Sequence, residues 1–514
     1  MRKVIVSHPF IKKLLVFAIA ALVMFSFAAC ENPASNGGDP PNEVIENGLS
    51  FVLNSEGTGY TVFKYDDSLI NVIIPAAISG LPVSAIGKNA FFGCTGLESI
   101  TIPDSVESIG AEAFVFCTGL ESITIPDSVM SIGDWAFTGC SSLESITVES
   151  GNMIYQSEEN CLIRIAGSVL ILGCKNSVIP DCVTSINDYA FFGCTGLKSI
   201  TIPDSVTDIG NSAFFGCTGL ESITIPDSVT IIGFEAFSCC RSLESITIPD
   251  SVTIIGFEAF YYCTGLESIM IPDSVTSIGD GAFLRCTGLE SIMIPDSVTS
   301  IGDAAFLDCR CLKSITIPGS VTSIGDEAFT GCSSLESITV ESGNIIYRSE
   351  ENCLIRIADN ALILGCKNSL IPNSVTSIGR GAFDRCTGLE SITIPDSVTS
   401  IGDIAFQGCT SLECIIIPDS VTSIGDGAFY YCTGLESITI PDSVESIGVE
   451  TFNWCESLTR VFYGGENSTA WSGISIGGAN WSLTSASIYY YSETNPGTVN
   501  THWRWVEGAP AIWE

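Results

Sequence analysis

Residues 282–304 run A-F-L-R-C-T-G-L-E-S-I-M-I-P-D-S-V-T-S-I-G-D-A, and most of the chain is a copy of that line. A marker phenylalanine opens each copy, at Phe91, Phe114, Phe137, Phe191, Phe214, Phe237, Phe260, Phe283, Phe306, Phe329, Phe383, Phe406, Phe429 and Phe452. Successive markers are 23 residues apart, except for two steps of 54, from Phe137 to Phe191 and from Phe329 to Phe383. A fixed period in the twenties signals one supersecondary unit stacked on copies of itself, so the expected fold class is a repeat solenoid.

Inside the quoted copy, Leu289, Ile292 and Ile294 alternate with polar residues, which predicts a short strand with the two isoleucines inward. Pro295 lacks a donor and ends that strand; Asp296 and Ser297 turn the chain. A second short extended segment follows over Val298–Ile301. Gly302 turns again, and Asp303 is placed to cap a brief helical turn carrying Ala305, Phe306 and Cys309 inward. Stacked copies would build a parallel β-sheet on one face, at about 4.8 Å per coil, with short extended segments and helical turns on the other.

The two 54-residue steps contain matching enlarged coils, E-S-G-N-M-I-Y-Q-S-E-E-N-C-L-I-R-I near 149–180 and E-S-G-N-I-I-Y-R-S-E-E-N-C-L-I-R-I near 341–372. Their extra residues, Tyr155 and Tyr347 among them, are expected in a bulge or hairpin. Each also carries two cysteines 13 apart, Cys161/Cys174 and Cys353/Cys366. These pairs are the best disulfide candidates in the chain, the alternative being four core thiols. Fourteen of the 23 cysteines lie three residues after a marker Phe, as Cys286 and Cys309 do. One thiol per coil makes a column about 4.8 Å apart with parallel Cα–Cβ bonds, whereas a disulfide needs Cβ atoms near ~3.8 Å and facing each other. The column is therefore read as buried thiols acting as small hydrophobes. Neighbours that point the same way also cannot converge on zinc.

The ends do not repeat. Residues 1–29 have basic residues first, then the apolar run Leu14–Phe27, the pattern of an export signal peptide. Ala28-Ala29-Cys30 resembles the bacterial lipobox, although Phe27 stands where Leu is usual; that resemblance implies a lipid on Cys30, against an ordinary secretory peptide with a chance cysteine. Residues 30–47 are polar and rich in Pro and Gly, the composition of a flexible tether. Residues 48–89 hold degenerate copies and are expected to cap the first coil; the solenoid proper spans 90–463. Residues 464–514 bring Trp471, Trp481, Tyr489, Tyr490, Tyr491, Trp503, Trp505 and Trp513, an aromatic cap for the last coil or a set of sugar-stacking rings.

The formal charge is −38, and the first 29 residues hold four of the 20 basic residues and no acid. Without them, 16 basic residues face 58 acidic ones, a charge of −42. This opposes nucleic acid and bare anionic lipid as partners. After residue 29 no apolar run approaches the ~18 residues of a membrane span.

Little in the chain points to catalysis. Beyond residue 29 the one histidine is His502, with no nucleophile or acid placed beside it by a recognisable motif, so no enzyme is expected. Asp104, Asp127, Asp204, Asp227, Asp250, Asp273 and Asp296 form one column, and Asp280, Asp303, Asp326, Asp403 and Asp426 another. Stacked carboxylates raise the question of calcium; turn-bonding and helix-capping roles account for them without a metal, and no cofactor is expected. The outward strand positions, Glu98, Ser99 and Thr101 in one copy, make a Ser/Thr carpet with an acidic edge. Departures from it are Lys198, Met270, Met293, Lys313, Cys414 and Ile416, and adjacent Met270 and Met293 would form an apolar contact patch.

The unit L-x-x-I-x-I-P-x-S-V-x-x-I-G-x-x-A-F-x-x-C resembles the BspA-type leucine-rich repeat of bacterial surface proteins, over roughly residues 70–463. The resemblance implies a curved, surface-exposed leucine-rich repeat solenoid that serves adhesion and protein binding, with no family active site. The expectation is thus a monomeric, non-catalytic binding protein, exported to the cell surface and lipid-anchored at Cys30 to the bacterial outer membrane. It would recognise an extracellular or host-surface protein through the strand face. A glycan-binding aromatic tail and a structural spacer are the alternatives.

Overall fold

A computed structural model describes residues 43–65, 69–497 and 501–513; the export signal and Cys30 lie outside the described residues. The chain winds as a β-solenoid. In the quoted copy the two short strands are Ser291–Met293 and Ser300–Ile301. Each pairs in parallel with the strand 23 residues earlier: Ser268 with Ser291, Ile269 with Ile292 and Met270 with Met293 on the first ladder, Ser277 with Ser300 on the second. Ile292 points in and its two neighbours point out, the alternation a half-buried strand requires.

The helical turn expected after Gly302 does not form. Among the described residues the α-helices are two short ones, Ser468–Trp471 and Trp481–Ser485. Residues 303–309 instead make a run of tight turns with Ala304 and Asp308 in the left-handed region, at φ 52° and 59°. Their bonds go largely to the next coil: Ala304 N donates to Asp326 O at 2.8 Å and Phe306 N to Ala328 O at 2.7 Å. A neighbouring coil only about 5 Å away supplies partners that a lone segment would have to find within a helix. Asp303 is part of this scheme, its Oδ1 accepting from Asp326 N at 2.9 Å instead of capping its own turn. Asp280, Asp403 and Asp426 do the same toward Asp303, Asp426 and Val449.

The core is a set of columns. Phe283, Cys286, Leu289, Val298 and their counterparts are buried, and the marker rings stack face to face, 5.2 Å from Phe283 to Phe306 with 8° between planes. Most column thiols donate to a carbonyl 26 residues back, as Cys286 Sγ does to Phe260 O at 3.1 Å and Cys309 Sγ to Phe283 O at 3.2 Å. Burial pushes Cys286 and Cys332 up to about 12, so neither forms a thiolate near neutrality.

At each enlarged coil a hairpin is inserted. Tyr155–Glu158 pairs antiparallel with Cys161–Arg164, which pairs antiparallel with Val169–Leu172, and that last strand rejoins the parallel ladder at Ser185. The G-N-x-I-Y-x-S motif spends its polar groups on the preceding coil. Asn152 Nδ2 donates to Pro126 O and Val129 O, at 3.0 and 2.9 Å, while its Oδ1 accepts from Ile154 N and Tyr155 N. The Tyr155 hydroxyl accepts from Ile132 N at 3.0 Å and Ser157 Oγ from Val148 N at 2.9 Å. Asn344, Tyr347 and Ser349 repeat these contacts.

The two hairpins divide the core into three segments. Cys174 packs with the preceding segment, beside Leu143 and Ile146, and Cys161 with the following one, beside Ile163 and Val183. Cys366 and Cys353 are divided in the same way. All four are free buried thiols, the alternative considered for these pairs; both members of each pair lie around one serine hydroxyl, Ser177 or Ser369, with no sulfur–sulfur bond between them. The expected result is that protein denatured without reductant takes up a thiol reagent at all four, whereas the native protein reacts at the exposed Cys182, Cys311 and Cys414 and leaves the column unlabelled. Peptide mapping after alkylation reads both.

At the N-terminal end, Glu43–Glu46, Leu49–Leu53 and Tyr60–Tyr65 form an antiparallel meander, and the last of these starts the parallel ladder against Leu81–Ile86. The stretch expected to be tether thus ends in a strand. Nor does the coiling stop at residue 464: Ser475–Ile476 extends the second ladder from Ser446–Ile447, and Ser487–Tyr491 extends the first from Arg460–Tyr463. A hairpin of His502–Val506 and Ala509–Ile512 closes the end.

Candidate binding faces

The outer side of the first ladder carries the residues singled out from the sequence. Glu98, Thr101, Lys198, Lys313 and Ile416 are exposed and Ser99 half-buried. Met270 and Met293 sit in register on adjacent coils, 74% and 80% exposed. Both lysines are engaged: Lys198 Nζ is 3.0 Å from Glu221 and Lys313 Nζ 2.7 Å from Glu290. They bracket the four-glutamate run Glu221, Glu244, Glu267 and Glu290, and the methionines lie alongside its second half. The face is therefore an acidic stripe with a flexible apolar patch along one half, chemistry suited to a basic, partly apolar surface.

A second face was not foreseen. It is the ridge formed by the A-F-x-x-C turns, whose two x positions change from copy to copy: Leu284-Arg285, Leu307-Asp308, Asp384-Arg385 and Tyr430-Tyr431. The second of these positions is left-handed in every copy where it is described. Six copies meet that demand with glycine, including Gly331 (φ 74°) and Gly408 (φ 68°). Others hold large side chains there: Phe116, Tyr262, Arg285, Asp308, Arg385, Tyr431 and Trp454, with φ between 55° and 61°. A left-handed non-glycine residue costs roughly 1–2 kcal/mol, so side chains kept at such positions call for a reason.

The two enlarged coils give the ridge contrasting chemistry. Beside the first, aromatic rings meet: Trp135 with Tyr189 at 5.5 Å and Phe116 with Phe192 at 6.4 Å. Beside the second, Gly331 N donates to Asp384 O at 3.4 Å, bringing together regular copies that are far apart in sequence. There Asp308, 2% exposed, faces three guanidiniums, Arg385 at 2.7 Å, Arg310 at 3.6 Å and Arg285 at 3.8 Å. Burial raises the Asp384 carboxyl to about 7, despite the field of Arg385 beside it.

In the tail, most of the indoles serve closure. Trp503 is buried and its Nε1 donates to Tyr463 O at 2.8 Å; Trp471 meets the Tyr463 ring edge-on at 5.1 Å. Trp513 donates to Ser492 O and lies under the Arg504 guanidinium at 3.9 Å. Trp481 projects outward, 73% exposed. His502 lies on a closing strand against Tyr490, its Nδ1 2.9 Å from the Thr501 hydroxyl. Among the described residues no group of three or more His, Cys, Asp or Glu is arranged to hold a metal ion, and no helix is long and apolar enough to cross a membrane.

The chain matches the family model of the BspA-type leucine-rich repeat region over residues 57–164, 172–288, 230–355 and 363–471. Among solved structures it is similar to a leucine-rich repeat protein from Bacteroides ovatus, at 30% identity over 87% of this chain and 99% of that one, with a TM-score of 0.45. It is also similar to a leucine-rich cell surface protein from Faecalibacterium prausnitzii, at 29% identity over 85% and 98% of the two chains, TM-score 0.41. The pneumococcal vaccine antigen PcpA matches at 18% identity over 88% and 94%, TM-score 0.28. No curated protein matches the chain. With the family model covering well over half of its length, the chain belongs to the BspA-type leucine-rich repeat family.

Proposed function

We propose that this chain is a non-catalytic cell-surface binding protein that holds a protein partner on its first-ladder face. The reading places it outside the cell, exported by residues 1–29 and lipid-anchored at Cys30. Membership of the repeat family and its similarity to a bacterial cell surface protein support that location. The observation that carries the binding reading is the stacked pair Met270 and Met293, fully outward beside Glu267 and Glu290. Exposed methionines gain nothing for the fold, and a partner that covers both would bury apolar area beside a charged stripe.

The test is capture of bacterial-surface and extracellular-matrix proteins by the mature chain and by a Met270→Asp/Met293→Asp variant. The variant is expected to fold normally and to bind the captured partner at least tenfold more weakly, because two carboxylates are added where apolar contact is required. Equal capture by the variant would overturn the ladder-face reading. If Trp481→Ala then abolished capture, the contact would belong to the tail.

A further inference from the structure

We propose that the groove on the turn ridge beside the second enlarged coil is a separate site for an acidic sugar. The sugar's anionic group would sit on the guanidiniums of Arg310 and Arg385, and its ring against Tyr431. The groove has a volume of about 350 Å³, and its lining includes Asp308, Gly331 and Tyr430 as well as these three.

Three independent features converge there. First, Asp308, Arg385 and Tyr431 all occupy the left-handed ridge position, where glycine would be the easier residue, and all line this one groove. The intervening copies do use glycine: a Cβ on Gly331 would come 2.6 Å from Asp308 Oδ1, so Gly331 keeps the space open. Second, three guanidiniums surround one buried carboxylate, which leaves a local positive excess on a chain of charge −38. The raised Asp384 carboxyl beside them opposes it less than an ordinary aspartate would. Arginine's planar fork suits carboxylate and sulfate oxygens. Third, the remaining walls offer the exposed ring of Tyr431 and the neutral polar groups of Ser333, Thr387, Gln407 and Thr410. A flat aromatic face beside hydroxyl and amide partners fits a sugar ring better than an apolar side chain. This site does not depend on the ladder-face reading.

Titration calorimetry on the full mature chain tests the proposal with four hexamers: a hyaluronan oligosaccharide (uronic carboxylates), a heparin oligosaccharide (sulfates), neutral maltohexaose and hexaglutamate. At least one acidic saccharide is expected to bind, tenfold or more tightly than maltohexaose and hexaglutamate; which of the two binds separates carboxylate from sulfate recognition. Arg310→Gln and Tyr431→Gly are each expected to weaken that binding at least fivefold with thermal unfolding unchanged or improved, since glycine suits the backbone at 431. Arg385 is left intact because its loss would strand the buried Asp308 charge. The Met270→Asp/Met293→Asp variant should bind the sugar as the parent does, so failure of the ladder-face reading is distinguishable from failure here. The proposal is overturned if neither acidic saccharide binds, if hexaglutamate binds equally well, or if both groove variants bind unchanged.

Discussion

Gly173→Ala and Gly365→Ala are expected to be among the most damaging single-atom changes in this chain. A Cβ on Gly173 would overlap the ring edge of Phe191 at Cε1 and Cζ, and one on Gly365 the same edge of Phe383. Neither ring has room to retreat. Phe191 is fully buried and stacked on Phe214 at 5.0 Å; Phe383 is stacked on Phe406 at 5.1 Å. Nor does the backbone yield easily, because Gly173 N donates to Ala190 O at 2.9 Å and Gly365 N to Ala382 O at 2.8 Å. Overpacking a filled core costs about 1–3 kcal/mol and more where nothing can move, so a loss of about 3 kcal/mol or more is expected in denaturant unfolding. Adding Phe191→Leu to Gly173→Ala should recover over half of it. Gly96→Ala, where a Cβ meets nothing within 4 Å, should stay within about 0.5 kcal/mol of the parent. Equal effects at 96 and 173 would remove the steric explanation.

Phe283→Ala should destabilise by about 3–5 kcal/mol, the usual result of emptying a buried aromatic site. The ring is fully buried between Phe260 at 5.4 Å and Phe306 at 5.2 Å, so its loss opens a gap and ends two stacking contacts. Because a solenoid coil touches only its neighbours, the damage should stay local. Limited proteolysis is therefore expected to cut first between about residues 260 and 306, with the terminal segments released as folded pieces. Met293→Ala, in the same copy but on the exposed face, should change neither stability nor cleavage pattern. If the two variants unfolded alike, the assignment of inward and outward positions would be wrong.

Much of this architecture was legible because the repeat states it fourteen times. The 23-residue period implied stacking, the Ile292/Ile294 alternation implied a strand with one buried face, and the thiol column followed from one cysteine per coil. What misled was reasoning within a single copy. Asp303 ahead of Ala305 and Phe306 resembles a helix cap, but that inference assumes a segment must satisfy its own N–H groups. In a stack the next coil offers them carbonyls, as Asp326 O does for Ala304 N, and the helix loses its purpose. The extra coil after 464 had a signal of its own, Ser475-Ile476-Gly477, which repeats the S-I-G of most earlier copies.

The candidate sites divide along the same line. Met270 and Met293 stand out in the sequence as departures from a polar column, and the exact 23-residue register makes them neighbours. Lys198 and Lys313 stand out equally, yet their pairing with Glu221 and Glu290 depends on side-chain reach that a column of letters does not show. The ridge groove draws on residues from 308 to 431, and the hairpin inserted at the second enlarged coil leaves Gly331 against Asp384. By itself, then, the sequence determined the coil, its core columns and its outward strand positions, because each rests on contacts between residues one period apart. The tertiary structure alone decided the fate of the paired cysteines and the assembly of the arginine groove. Those depend on which way a hairpin faces and on contacts that bridge the break in the period.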